Sequence, residues 1–123
     1  MPQNFLQYIP HRHPFLFVDR VLEESADTIK TEKEIDPKEP FFEGHYPGKP
    51  IMPGVLIFES IFQTGAIMMG KRIANEGRIP VLTRVNNIKL KHAVHPGDTL
   101  QVEVTLKDLV STAAYMAGTA SVN

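Results

Sequence analysis

The sequence predicts a single α+β domain in which an antiparallel β-sheet wraps around one long central helix. Three observations support this fold class. β-prone segments open the chain, one long apolar segment without proline follows, and the hydrophobic period then switches to two. Because 123 residues suffice for one domain with one core, we expect a single domain over residues 1–123.

Two strands are predicted before the helix. Residues 15–22 (Phe-Leu-Phe-Val-Asp-Arg-Val-Leu) are apolar and β-prone, and they follow a proline-marked lead-in. Residues 28–35 alternate weakly and are more polar, as a strand with a solvent-facing side can be. Two X-Pro pairs directly after this second strand predict its end.

The central helix is predicted from Val55 to about Ile73. This segment contains no proline, and Leu, Ile, Phe, Met and Ala dominate it. Its apolar side chains cover most of the helix circumference, so we expect burial on nearly all sides. Lys71, Arg72 and Gly77 mark its C-terminal end.

Three strands are predicted after the helix. Residues 81–91 are the first, and residues 96–98 (Pro-Gly-Asp) form a turn. Residues 100–107 alternate strictly between apolar and polar side chains, and residues 113–122 form a last strand with small side chains. The sequence then stops at Asn123, in mid-strand or at the start of a turn. Either the sheet closes in another way or the chain lacks its C-terminal strand, and we expect the second.

Composition argues against several classes of function. Hydrophobic residues make up 42% and charged residues 22%, and the net charge of −1 does not favour nucleic-acid binding. Without cysteine there is no disulfide framework, thiol nucleophile or cysteine metal site. No signal-peptide pattern and no run long enough to span a bilayer is present. His11 and His13 have no Asp or Glu nearby in the sequence, so we predict no metal, and we expect a cytoplasmic protein.

The segment 44–63 combines a histidine in a constrained loop with a carboxylate in an apolar helix. Three prolines and three glycines within eleven residues surround His45 and hold its backbone in one unusual path. Glu59 is set among Leu, Ile and Phe, where burial favours the protonated form of a carboxyl group. Gln63 follows four residues later on the same helix face and can orient that carboxyl group.

The start of the predicted helix is the third element of this segment. No Ser, Thr, Asp or Asn stands at residues 51–55, so the first N–H groups are left for water or a ligand. Gly54 allows a ligand carbonyl to approach, and the helix dipole favours developing negative charge there. A base, an oxyanion site and an acid are together the groups that a reaction at the carbon α to a carbonyl requires. Two purely structural explanations stay open. Glu59 pairs with a buried Arg or lies at a subunit boundary, and the loop around His45 only covers the end of the helix.

Residues 9–21, 41–63 and 89–98 resemble the (3R)-hydroxyacyl-acyl-carrier-protein dehydratases of bacterial type II fatty-acid synthesis, which have the hot-dog fold. The middle segment is the most specific, because the spacing from His45 to Glu59 and the Pro-Gly pair before the helix all match. The resemblance implies dehydration of (3R)-3-hydroxyacyl-acyl carrier protein to the trans-2-enoyl product, with no cofactor.

The resemblance also implies a role for each site residue. His45 is then the base for the C2 proton, and Glu59 the acid at the departing C3 hydroxyl. The Gly54 N–H polarises the thioester carbonyl, and Gln63 orients Glu59. The residues expected along an apolar substrate tunnel are Met52, Val55, Phe58 and Phe62. The residues expected to contact the acyl carrier protein are Arg84, Lys89, Lys91 and His92, although a solvated strand face explains the same charges.

The family builds each site from two subunits, with His45 from one chain and Glu59 from its partner. The resemblance therefore implies a homodimer, or a trimer of dimers, in which an isolated monomer is inactive. Glutamate at position 59 indicates the branch that only dehydrates, because the bifunctional dehydratase/isomerases carry aspartate there. Tyr46 and residues 60–62 depart from the family pattern, which leaves the preferred acyl length open. Two alternatives remain: an acyl-thioester hydrolase on the same fold, and a non-catalytic acyl-binding subunit.

Overall fold

One α-helix packs on one face of a four-stranded antiparallel sheet. The computed structural model describes residues 4–122. The regular elements are β1 (Arg20–Glu24), β2 (Thr28–Glu34), α1 (Gly54–Arg72), β3 (Thr99–Val110) and β4 (Ala113–Val122). Short 3-10 helices lie at Phe5–Tyr8 and Pro40–Phe42. The strand order is β1-β2-β3-β4, so neighbours in the sheet are also consecutive strands of the chain. The predicted α+β fold with one long central helix is confirmed.

Helix α1 agrees with its predicted bounds to within one residue at each end. Pro53 occupies the N-cap position with extended backbone angles, and no side chain caps the helix start. At the other end the Ile73 N–H donates to Met69 O at 3.1 Å. Lys71 and Arg72 lie in the last turn, where positive charge complements the helix dipole. Within residues 4–122, no helix is long and apolar enough to cross a membrane.

The two faces of α1 differ in burial. Ile57 and Ile67 face the sheet and are 5% and 0% exposed. Val55 is 71% exposed, and Phe58 and Phe62 are only half-buried. The prediction of burial on nearly all sides is therefore wrong for this chain, because one sheet covers one side of a helix.

Strand β3 supplies the centre of the core. Leu100, Val102 and Val104 are buried, whereas Gln101 and Glu103 are exposed. The strict alternation predicted from the sequence is confirmed, and it places one face of the strand against α1.

Strand β4 has small side chains because α1 lies close to it. A Cβ atom on Gly118 would lie 2.4 Å from Ile61 Cγ2 of the helix. The predicted strand over residues 113–122 is confirmed, and it forms one edge of the sheet. Asn123 lies outside the described residues, so the expected lack of a C-terminal strand stays a prediction.

Strand β2 carries polar side chains into the core, so it is more buried than its sequence indicates. Thr31 is 1% exposed, and its Oγ1 lies 2.7 Å from Thr64 Oγ1 on α1. Lys33 is 6% exposed, and its Nζ lies 2.7 Å from Glu39 Oε2. These polar groups tolerate burial because each has a partner.

Two predicted strands differ from the structure. The strand predicted over residues 15–22 begins only at Arg20, because backbone groups of Phe15 and Phe17 bond to side chains of α1 instead of a neighbouring strand. No strand forms over the predicted range 81–91. Nothing within residues 4–122 pairs with this segment, although β1 and β4 each have an open side at the edge of the sheet.

The 3-10 helix at Phe5–Tyr8 packs directly on α1. A Cβ atom on Gly70 would lie 2.3 Å from the backbone oxygen of Tyr8. This close backbone approach requires glycine, and it holds the start of the N-terminal segment beside the C-terminal half of the helix.

Candidate active site

The side-chain amide of Gln63 links α1 to the segment that precedes β1. Gln63 is 0% exposed. Its Oε1 accepts from the Phe17 N–H at 2.7 Å. Its Nε2 donates to Phe15 O at 2.9 Å and to Glu59 Oε2 at 2.8 Å. An amide with a donor and an acceptor committed in this way has one orientation, so it holds Glu59 in one position.

Hydroxyl groups on the same face of α1 extend this network. Ser60 Oγ donates to Phe17 O at 2.8 Å. Thr64 Oγ1 donates to Ser60 O at 2.8 Å and pairs with Thr31. The interior face of the helix therefore holds both the segment before β1 and strand β2 through side-chain hydrogen bonds.

The carboxyl group of Glu59 lies at the border of this network. Its side chain is 21% exposed, and its Oε2 lies 3.6 Å from His11 Nε2 as well as 2.8 Å from Gln63 Nε2. Among the hydrogen bonds and ion pairs of residues 4–122, none involves Oε1 of Glu59. Oε1 is therefore the oxygen that can reach a ligand.

His45 presents an unprotonated nitrogen from a constrained turn. Its Nδ1 lies 3.0 Å from Ile51 O. A carbonyl oxygen only accepts, so we assign the ring proton to Nδ1, which leaves Nε2 as the basic nitrogen. The ring of His45 makes an edge contact with that of Tyr46 at 4.7 Å, and Tyr46 has φ of 48°, which non-glycine residues rarely adopt.

A cavity of about 380 Å³ lies between His45 and the start of α1. Met52 and Gly54 line it on the helix side, and Lys91 and His92 line it on the other. The cavity therefore brings the imidazole of His45, an uncapped helix start and the cationic side chain of Lys91 to one place.

The start of α1 packs closely against Leu90 because residue 54 is glycine. A Cβ atom on Gly54 would lie 2.4 Å from Leu90 Cδ1. The Pro53 carbonyl accepts from the N–H groups of Leu56 and Ile57, and no side-chain cap covers the first turn. The N–H of Gly54 therefore has no side-chain cap, and its predicted role at a ligand carbonyl stays a prediction.

The structure brings some predicted site residues together and separates others. Glu59 and Gln63 are in contact, and His45, Gly54 and Met52 share the cavity. Glu59 does not line that cavity, so the predicted base and acid lie in different places within one chain.

The remaining predicted residues lie on exposed parts of the chain. Val55, Phe58 and Phe62 are on the less buried face of α1, and their place along a tunnel stays a prediction. The predicted carrier-protein contacts Arg84, Lys89, Lys91 and His92 are all exposed and lie in the segment without regular structure.

His11 contacts Glu59, although sequence analysis considered this histidine only as a possible metal ligand. The two residues are far apart in the sequence, and no local spacing connects them. The only signal was the position of His11 in the proline-marked segment that carries the resemblance. Within residues 4–122, no group of three or more His, Cys, Asp or Glu side chains could hold a metal ion.

A family model and several named relatives indicate the same family for this chain. The family model for the FabA-like domain matches residues 9–123. A relative from Caldicellulosiruptor saccharolyticus, named 3-hydroxyacyl-acyl-carrier-protein dehydratase FabZ, is 40% identical over 122 residues, which cover 94% of this chain and 87% of the relative. A relative of the same name from Oenococcus oeni is 45% identical over 113 residues, which cover 89% of this chain and 81% of the relative.

A solved structure shows the fold independently. A chain of the dehydratase heterocomplex ApeI:P from Xenorhabdus doucetiae is similar with a TM-score of 0.73 and 17% identity, over 99% of this chain and 82% of that chain. At this level of identity the similarity shows the fold alone, and the predicted hot-dog fold is confirmed.

Replacement of Gln63 by Leu tests the network around Glu59. We expect the free energy of unfolding to fall by about 2 kcal/mol or more, because the Phe17 N–H and the Phe15 C=O lose their buried partner. Urea denaturation measures this change. The control is Gln101→Leu on the exposed face of β3, where we expect a change within about 0.5 kcal/mol. Equal effects of the two substitutions would contradict the role of the amide.

Proposed function

The chain belongs to the FabA-like domain family, and from this premise we propose that it dehydrates (3R)-3-hydroxyacyl-acyl carrier protein to the trans-2-enoyl thioester in type II fatty-acid synthesis. One observation carries the proposal beyond the family: His45, whose basic nitrogen is Nε2, and Gly54, whose N–H has no side-chain cap, line the same cavity. The names of the relatives support the same reaction. The expected cytoplasmic location is part of this proposal.

The first half of the proposed reaction takes place at His45. Its Nε2 removes a proton from C2 of the acyl chain, and the Ile51 carbonyl keeps the ring in the tautomer that can accept this proton. Negative charge then develops on the thioester oxygen. The N–H of Gly54 and the positive end of the α1 dipole stabilise this charge.

The second half takes place at Glu59. Its Oε1 gives a proton to the C3 hydroxyl, the C3–O bond breaks, water leaves, and a double bond forms between C2 and C3. The Gln63 amide donates to Oε2 and stabilises the carboxylate that results. The proton taken by His45 returns to Glu59 through solvent, which restores both groups.

We propose that the site is completed by a second copy of the chain. Glu59 lies outside the His45 cavity of its own chain, which a site shared between two chains explains. The outer face of α1 is half exposed, and the segment after it exposes large apolar side chains. These exposed residues are Ile79, Val81, Leu82, Val85, Ile88 and Leu90. Exposed apolar surface of this kind is typical of subunit interfaces, so we propose a homodimer in which Phe58 and Phe62 border the acyl tunnel. The trimer of dimers stays a prediction.

The carrier protein is proposed to dock at the cationic side of the cavity. Lys91 and His92 line the cavity, and Arg84 and Lys89 lie exposed on the same segment. A cluster of positive charge beside the entrance favours an acidic partner and speeds its association.

The reaction itself is tested with purified chain and 3-hydroxyacyl-acyl carrier protein, with the product identified by mass spectrometry. We expect the enoyl thioester, and we expect Glu59→Gln and His45→Ala each to lower kcat/KM by about 100-fold or more because each loses a proton-transfer group. The control Glu103→Gln removes an exposed carboxylate on β3 and leaves kcat/KM unchanged. Free acid would identify a hydrolase, and unchanged bound substrate a non-catalytic subunit; either outcome rejects the proposal.

The shared site is tested by mixing the two inactive variants. In a symmetric dimer, a heterodimer of His45→Ala and Glu59→Gln contains one intact site, so random reassociation at equal amounts restores about a quarter of the wild-type activity. The measurement is kcat per chain after unfolding and refolding the mixture together. The control is the same mixture refolded separately and then combined on ice. A co-refolded mixture that stays inactive would show that both groups act within one chain.

The docking surface is tested by charge reversal. We expect Lys89→Glu combined with Lys91→Glu to raise KM for the carrier-protein substrate about tenfold, because opposite charge speeds the association of the two proteins. KM for the same acyl group on a small uncharged thiol should stay unchanged. Lys107→Glu, an exposed lysine on β3, is the matched control. A rise in KM for both substrates would place these lysines in the acyl site instead.

A further inference from the structure

A second histidine lies against the oxygen of Glu59 that Gln63 already binds. His11 Nε2 is 3.6 Å from Glu59 Oε2, and the His11 side chain is 26% exposed. This distance is longer than a hydrogen bond but within the range of an electrostatic contact. Contacts of catalytic groups are often long in substrate-free enzymes and shorten in the complex with substrate.

The tautomer of His11 follows from its other nitrogen. Nδ1 is buried and has no hydrogen-bond partner among residues 4–122. A proton on Nδ1 would be a buried donor without an acceptor, which is unfavourable. We therefore assign the proton to Nε2, the nitrogen that faces Glu59. His11 and His45 thus hold opposite tautomers: His45 presents a lone pair, and His11 presents an N–H.

The position of His11 is braced by its neighbours. Its ring stacks on Phe15 at 6.2 Å between centroids with 24° between the planes. The Phe15 carbonyl accepts from Gln63, which also donates to Glu59. The hydrogen bonds of the adjacent Arg12 guanidinium go to the carbonyls of Leu6, Ile9 and His11. His11 and Gln63 are therefore held by one segment and act on the same carboxyl oxygen.

We propose that His11 is a positioning residue for the proton donor, a role that rests on the proposed function. Its N–H and the Gln63 amide both face Oε2 of Glu59, so the proton that is transferred resides on Oε1. As Oε1 loses this proton, negative charge grows on the carboxyl group and its interaction with both donors strengthens. An interaction that is stronger in the transition state raises kcat. His11 acts through Glu59, so it has little effect on substrate binding.

Kinetics of His11 variants of the full chain test this role. We expect His11→Leu to lower kcat about tenfold, which corresponds to about 1.4 kcal/mol, with KM changed by less than about twofold. His11→Gln places an amide N–H in a similar position and should keep kcat within about threefold of wild type. His13→Leu, an exposed histidine two residues away, is the matched control and should leave kcat unchanged. Thermal unfolding of each variant separates loss of kcat from loss of folded protein.

Several outcomes would overturn the proposal. The proposal fails if the Leu variant keeps its kcat, or if the Leu and Gln variants lose kcat equally. A His11→Gln variant as inactive as His45→Ala would make His11 a proton-transfer group instead of a positioning residue. If the wild-type chain forms no enoyl product, the proposed function itself fails.

A measurement independent of activity tests the tautomer. Nitrogen NMR shifts of the imidazole rings in the wild-type chain should show the proton of His11 on Nε2 and that of His45 on Nδ1. A proton found on Nδ1 of His11 would overturn the assignment whether or not the enzyme is active.

Discussion

The buried amide of Gln63 is the interaction on which the rest of the site depends. It is fully removed from solvent, so each of its polar groups needs a protein partner. Its acceptor is used by the backbone N–H of Phe17, and its donor by the Phe15 carbonyl and Glu59. Only an amide side chain supplies both functions at this size, since glutamate cannot donate when ionised and leucine can do neither. One side chain therefore couples the path of the chain before β1 to the direction of the carboxyl group.

The distribution of side chains around α1 differs from that in a simple amphipathic helix, because polar residues join Ile57 and Ile67 on its interior face. Its interior face carries the buried polar residues Ser60, Gln63 and Thr64, whereas its outer face carries the half-buried Phe58 and Phe62. Polar residues tolerate the interior because neighbouring strands and loops satisfy them. Aromatic residues on the outer face are the more unusual feature, and they are accounted for if a second chain covers that face, as proposed.

Sequence analysis succeeded where the determining forces are local and failed where they are not. The bounds of α1 and the alternation of β3 follow from short-range patterns, and the carboxyl group of Glu59 stood out against its apolar neighbours. The late start of β1 could not be predicted, because Phe15 and Phe17 are bound by a side chain distant in sequence. Residues 81–91 have the pattern of a strand but pair with neither edge of the sheet, because a local strand pattern does not specify a pairing partner. The approach of His11 to Glu59 was missed for the same reason, since only the folded chain brings them together.

The length of chain between Gln63 and its backbone partners has a consequence for how the protein folds. Its contacts with Phe17 and Phe15 join positions 46 and 48 residues apart. Turns of α1 need only neighbouring residues, whereas these contacts require the closure of a long loop, which costs entropy before any contact forms. We therefore expect the helix to acquire its backbone hydrogen bonds before the carboxyl group of Glu59 is oriented. During translation, residues 15–17 also leave the ribosome before the residues of α1 have been synthesised. Their backbone groups therefore stay hydrated until the helix forms and packs against them. If Glu59 is the acid, as proposed, its carboxyl group reaches its working position only at the end of folding.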